Sequence, residues 1–171
     1  MEIFYLDDNP SPTAMPYLNG HNVTHVRRLQ GADACLRIAP GVKNFNKFLF
    51  DAKMPVEQIN ETAYDYHESL NGLLYLLSNL NLLGTANNPE QVAIITAYGF
   101  ETKILQNICT TKTVFRRIEI PREEQQIYFA NNQSPKIRYK DEGKGRIHTF
   151  SLLDTGTGSF SSIIGQFLLN G

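Results

Sequence analysis

Lys47-Phe48-Leu49-Phe50-Asp51-Ala52-Lys53-Met54-Pro55 is the stretch whose reading decides the fold. Three apolar residues run straight into an aspartate, and Met-Pro follows after two more positions. A short unbroken apolar run suits a strand buried on both faces, as in a parallel sheet. Asp51 then stands where the strand ends and the loop begins. Pro55 fits a strand exit because it biases Met54 away from helix. In open α/β sheets, sites form outside the carboxyl ends of the strands. Asp51 is therefore the first residue to examine for chemistry.

The same signature recurs on either side. Glu2 to Leu6 reads as a strand that also runs into carboxylates, Asp7-Asp8. Asn9-Pro10-Ser11-Pro12 reads as a loop opening a helix, with Ser11 as cap and Pro12 at the first helical position. Pro16 keeps that helix short. Asn19-Gly20 marks a turn, Val23 to Val26 a short strand, and Ala32 to Ala39 a helix ended by Pro40-Gly41. From Val56 to Leu83 the apolar residues Ile59, Ala63, Tyr66, Leu70, Leu73, Leu74, Leu77 and Leu80 recur at three- and four-residue steps, which predicts a helix with Gly84 as its stop. Val92 to Ile95 is a second buried strand, running into Thr96-Ala97. A helix near residues 101–108 and a fifth strand over Val114–Ile120, stopped by Pro121, complete an alternation of strand and helix. Mostly hydrophobic strands in that alternation call for a parallel sheet covered on both faces by right-handed crossovers.

The last third changes character. Lys136 to Lys140 alternates, Asp141 to Gly145 turns, and Arg146 to Phe150 alternates back, which reads as an antiparallel hairpin. Thr155 to Ser159 reads as a flexible connector, and Phe160 to Leu169 as a helix with Ile163, Ile164, Phe167 and Leu168 on one side.

At 171 residues and a net charge of −1 the chain is a soluble globular type with no global drive toward nucleic acid or an anionic membrane. No basic recognition helix is present. Cys35 and Cys109 have no metal-type spacing and fit reduced thiols in a cytoplasmic protein. The amino terminus lacks a basic region ahead of its apolar run, so no signal peptide is expected. Leu70 to Leu83 is too short and too polar to span a bilayer.

Three strand ends thus offer Asp7-Asp8, Asp51 and Thr96. At one carboxyl edge these converge. Crowded carboxylates repel one another unless a cation neutralises them. An all-oxygen site with few protein ligands suits Mg²⁺. A carboxylate beside that ion can act as nucleophile toward a phosphoryl group, and a hydroxyl across the pocket can bond a phosphoryl oxygen.

These motifs in register resemble the receiver domains of response regulators over about residues 1–121, or up to 131. The resemblance implies that Asp7 and Asp8 hold the metal, that Asp51 in Asp51-Ala52-Lys53-Met54-Pro55 is the phosphoacceptor, that the backbone carbonyl of Lys53 also ligates Mg²⁺, and that Thr96 is the switch hydroxyl. The chain departs from the family in three places. Ile120-Pro121 stands where the family has lysine before proline. Arg117 stands at the usual aromatic switch position. The stretch between Asp51 and Thr96 is longer than in the family. Strand pattern and resemblance together predict a flavodoxin-like, doubly wound, five-stranded parallel sheet in the order 2-1-3-4-5. Residues 1–131 then form the receiver-like domain, and residues 132–171 a hairpin–helix extension packed on it or on a partner subunit in a homodimer.

The implied function is a cytoplasmic two-component signalling module. It takes a phosphoryl group on Asp51 from a histidine kinase or phosphotransfer protein and acts on a downstream protein, with no catalysis beyond its own phosphorylation and dephosphorylation. Two alternatives stand beside it. One is a receiver-like scaffold that binds partners without phosphorylation. The other is a Mg²⁺-dependent phosphatase of the haloacid-dehalogenase type, which needs an aspartate where this chain has Lys53.

Overall fold

A computed structural model describes residues 1–10, 12, 14–38, 44–55, 58–59, 62–63, 71–83, 88–96, 118–119, 122–123, 135–140, 145–154 and 160–169. The chain is an α/β protein that divides into two compact units, Met1–Asn87 and Asn88–Gly171. Among the described residues no helix is long and apolar enough to cross a membrane.

The first unit is built on three parallel strands, β1 (Glu2–Leu6), β2 (Asn22–Val26) and β3 (Lys47–Asp51). β1 lies in the middle, with Leu6 opposite Val26 on one side and Phe50 on the other. This is the 2-1-3 part of the expected order. Ile3 to Leu6 and Phe48 to Phe50 are buried throughout, as two-sided strands require. On one face of β1 and β3, Phe4 meets Phe45, Phe48 and Phe50 with ring centroids 5.4–6.0 Å apart. Tilted and edge-on contacts at these distances add about 0.5–1.5 kcal/mol per pair beyond area burial.

The helices differ in detail from the sequence expectation. α1 (Met15–Leu18) is a single turn, and Pro16 sits within its first two positions, where a missing N–H costs nothing. The role expected of Ser11 lies outside the described residues. α2 (Leu29–Leu36) begins three residues earlier than Ala32. The long helix expected from Val56 is broken up. Gln58–Ile59 (β4) and Thr62–Ala63 (β5) form a small antiparallel ladder instead. The β-branched Ile59 and Thr62 favour extended backbone. Among the described residues of that stretch, α-helix appears in α3 (Asn71–Ser78), followed by a 3₁₀ turn over Leu80–Leu83. Residues 64–70 and Gly84 lie outside the described residues.

α3 packs on β3, and every residue from Asn71 to Leu77 is buried. A polar network clips its far end to α2. The Arg37 guanidinium Nε donates to both Asp33 oxygens at 2.8 Å, the Tyr75 hydroxyl donates to Asp33 Oδ1 at 3.2 Å, and Arg37 reaches Asn79 Oδ1 at 3.2 Å. Asn79 in turn donates to the Tyr75 carbonyl at 2.8 Å. The buried Asp33 carboxylate is satisfied by this network rather than left as a stranded charge.

The second unit corrects the expected topology. Its strands are β6 (Val92–Thr96), β7 (Ile118–Glu119), β8 (Lys136–Lys140) and β9 (Ile147–Asp154). The neighbour of β6 is β9, parallel to it, and not the strand expected over Val114–Ile120. Of that stretch Ile118–Glu119 is described, and it lies antiparallel on the outer side of β8. β8 and β9 form the expected hairpin, with Tyr139 opposite His148. The hairpin is therefore part of the sheet of its unit rather than an appendage. The reason is burial. β9 continues past Phe150 into Ser151-Leu152-Leu153, and Phe150 to Asp154 is buried at every position, the mark of a strand covered on both faces. A stretch carrying Arg116-Arg117 cannot supply that interior. α4 (Phe160–Leu169) packs against β9, with Ile163, Ile164, Phe167 and Leu168 buried as the pattern predicts. The boundary expected near residue 131 and the helix expected near 101–108 fall outside the described residues.

Candidate functional site

β1 and β3 are adjacent and parallel, so their carboxyl ends deliver Asp7, Asp8 and Asp51 to one place. One carboxylate oxygen from each lies within 4.8 Å of the others. Oxygen ligands of Mg²⁺ stand at about 2.1 Å, so two across an ion are about 4.2 Å apart. The trio is spaced on the scale of one shared ion, and the donor set fits a hard divalent cation.

Each carboxylate is held differently. Asp7 is 4% exposed. Its Oδ2 accepts from the Tyr5 hydroxyl at 2.5 Å and its Oδ1 from the Asn9 N–H at 2.8 Å. Its backbone is pinned to β2 as well: the Asp7 N–H donates to the Val26 carbonyl at 3.0 Å, and His25 Nε2 lies 2.8 Å from the Asp7 carbonyl oxygen. Asp51 is half-buried at the mouth of β3, where the Lys53 N–H donates to its Oδ1 at 3.1 Å.

Burial raises the Asp51 pKa to about 8, with the charge of Asp7 as the next cause, and Asp8 and a hydrogen bond shared with Asp7 adding to it, against the Lys53 N–H. A proton on Asp51 thus relieves the same repulsion that a cation would relieve. The residues fit a metal by their chemistry and spacing: three carboxylates that each offer an oxygen within 4.8 Å of the others.

The loop that carries Asp51 is fixed by the first turn of α3. The Gly72 N–H donates to the Ala52 carbonyl at 3.1 Å, and Asn71 Nδ2 to the Met54 carbonyl at 3.2 Å. Gly72 lies so close that a Cβ there would stand 1.8 Å from the Asp51 carbonyl oxygen.

The remaining expected residues are placed as follows. Lys53 is exposed in the loop after β3. Thr96 ends β6 in the second unit, is buried, and has Asp154 as its register partner. Ile120 and Arg117 lie outside the described residues. Asp154, 2% exposed at the carboxyl end of β9, is the residue that sequence reasoning passed over. Its signal was the one that found Asp51, an apolar run ending in aspartate, but the Gly-Thr-Gly after it invited a linker reading. Tyr5 was missed for a different reason: a strand tyrosine reads as core until its hydroxyl is seen to reach the carboxylate two residues on.

No family model, curated protein or solved structure matches this chain.

Proposed function

We propose that the chain is a receiver-like signalling module, flavodoxin-like in fold, that holds Mg²⁺ on Asp7, Asp8 and Asp51 with the Lys53 carbonyl and accepts a phosphoryl group on Asp51. The observation that carries this reading is the trio of carboxylates gathered at the ends of two neighbouring parallel strands. Thr96 is the proposed switch hydroxyl, and a histidine kinase or phosphotransfer protein the proposed donor.

The residues divide the work. Asp51 must lose its proton before it can attack, and the Lys53 N–H favours the ionised form. One Asp51 oxygen then bonds to phosphorus while the bond to the donor breaks, and the donor keeps that electron pair. Asp7 and Asp8 stand beside it as ligands for the ion. Mg²⁺, when bound, offsets the negative charge gathered on these carboxylates and on the phosphoryl oxygens.

Incubation with a small phosphodonor and Mg²⁺ should add one phosphoryl mass to the intact protein, and Asp51→Asn should abolish the addition. Labelling that survives Asp51→Asn would remove Asp51 as acceptor. A folded, Mg²⁺-binding protein that never labels is instead a scaffold that binds partners without phosphorylation.

A further inference from the structure

Tyr5 stands outside the acid trio yet grips one member of it. Its ring is fully buried in β1, two residues before Asp7 and on the same face of the strand. The 2.5 Å bond from its hydroxyl to Asp7 Oδ2 has the length of a phenol donating to a carboxylate. The Tyr5 ring is fixed in turn, stacked on the His25 imidazole with centroids 5.2 Å apart. His25 belongs to β2 and also meets the Asp7 carbonyl at 2.8 Å. Asp7 is therefore held through both carboxylate oxygens and through its backbone, while Asp8 and Asp51 are less enclosed.

A carboxylate locked in this way suits one class of ion. Mg²⁺ demands near-ideal octahedral geometry at short distance, whereas Ca²⁺ accepts longer bonds and irregular, flexible ligands. Rigid ligands therefore discriminate in favour of Mg²⁺, and loosened ones do not. We infer that Tyr5 is the positioning residue that makes the acid site select Mg²⁺ over Ca²⁺, by fixing the Asp7 carboxylate from behind through its hydroxyl, with His25 holding the Tyr5 ring. This rests on the metal reading proposed above but adds the ion preference and the residue that sets it.

The test is calorimetric titration of the full chain with Mg²⁺ and, separately, Ca²⁺. Tyr5→Phe keeps the ring and removes the hydroxyl. It should weaken Mg²⁺ binding by about tenfold or more, the usual cost of losing a group that orients a ligand, and Ca²⁺ binding by about threefold or less, so that selectivity collapses. His25→Leu should shift selectivity in the same direction by a smaller amount, and serves if Tyr5→Phe does not fold. Leu29→Ala, a buried change in α2, should lower the melting temperature and leave the ion ratio unchanged. Equal losses for both ions in Tyr5→Phe, or no loss, would overturn the role of Tyr5 while leaving the metal site standing. A wild-type protein that binds neither ion would overturn the metal reading and this inference with it.

Discussion

Mg²⁺ affinity should rise about tenfold per pH unit up to about pH 8 and level off above it. The Asp51 carboxyl, with its pKa raised to about 8 by burial and by Asp7 and Asp8, must release its proton before the cation can bind. Titrations in two buffers of different ionisation enthalpy should therefore report close to one proton released per ion at pH 6.5 and almost none at pH 9. Asp51→Asn should bind weakly and without this slope.

Stability of the metal-free protein should follow the same group with its own sign. A carboxyl whose folded pKa lies above its unfolded value of 3.8 stabilises the fold fully below that value, and the contribution is lost as pH rises through about 8. Metal-free protein should thus lose stability between about pH 4 and pH 8. After allowance for the partial solvent contact of Asp51, the loss should be roughly 2 kcal/mol. Urea unfolding at pH 5.5 and 8.5 measures it. Saturating Mg²⁺ should remove the slope, as should Asp51→Asn. A metal-free protein equally stable at both pH values would show that the three carboxylates do not repel as their spacing requires.

The second large effect is expected at Gly72. A methyl group there meets the Asp51 carbonyl oxygen at 1.8 Å and Met54 Cγ at 2.9 Å. The first of these is backbone and cannot swing aside, so either α3 or the loop after β3 must move. Gly72→Ala should cost about 3–5 kcal/mol and lower the melting temperature by about 10 °C. Because the displaced atoms belong to Asp51, Mg²⁺ binding should be lost in the fraction that still folds. A Gly72→Ala protein with wild-type melting and wild-type Mg²⁺ affinity would mean that α3 does not rest on the loop as described.

How much of this was legible in the sequence varies from residue to residue. Asp7, Asp8 and Asp51 could be read because an apolar run ending in acid has one simple meaning in a parallel strand. The 2-1-3 order of the first unit followed from it. The stretch from Val56 could not be read, because Ile59 and Ala63 are four residues apart in a helix and also on opposite arms of a tight ladder. Periodicity alone does not separate the two. β9 was cut short at Phe150, since its alternating first half hid the continuously buried half that places it next to β6. The grip on Asp7 was out of reach for another reason: the His25 contact depends on the register of β2 against β1, and the Tyr5 bond, though only two residues away along β1, depends on a side-chain geometry that residue type alone does not signal.

The pairing of β6 with β9 sets the order in which the chain can acquire structure during synthesis. β1, β2 and β3 follow one another closely, so the first unit needs only short loops to close. β6 waits for a partner whose last pairing residue is Asp154, opposite Thr96, and pairings so distant are slow to form. While the ribosome works through the intervening stretch, the apolar Val92 to Ile95 segment lacks its partner strand within its own unit. Nascent chains stalled after residue 131 should resist brief proteolysis over the first unit and be cut beyond Asn88. Chains extended far enough to clear α4 should lose those cleavage sites.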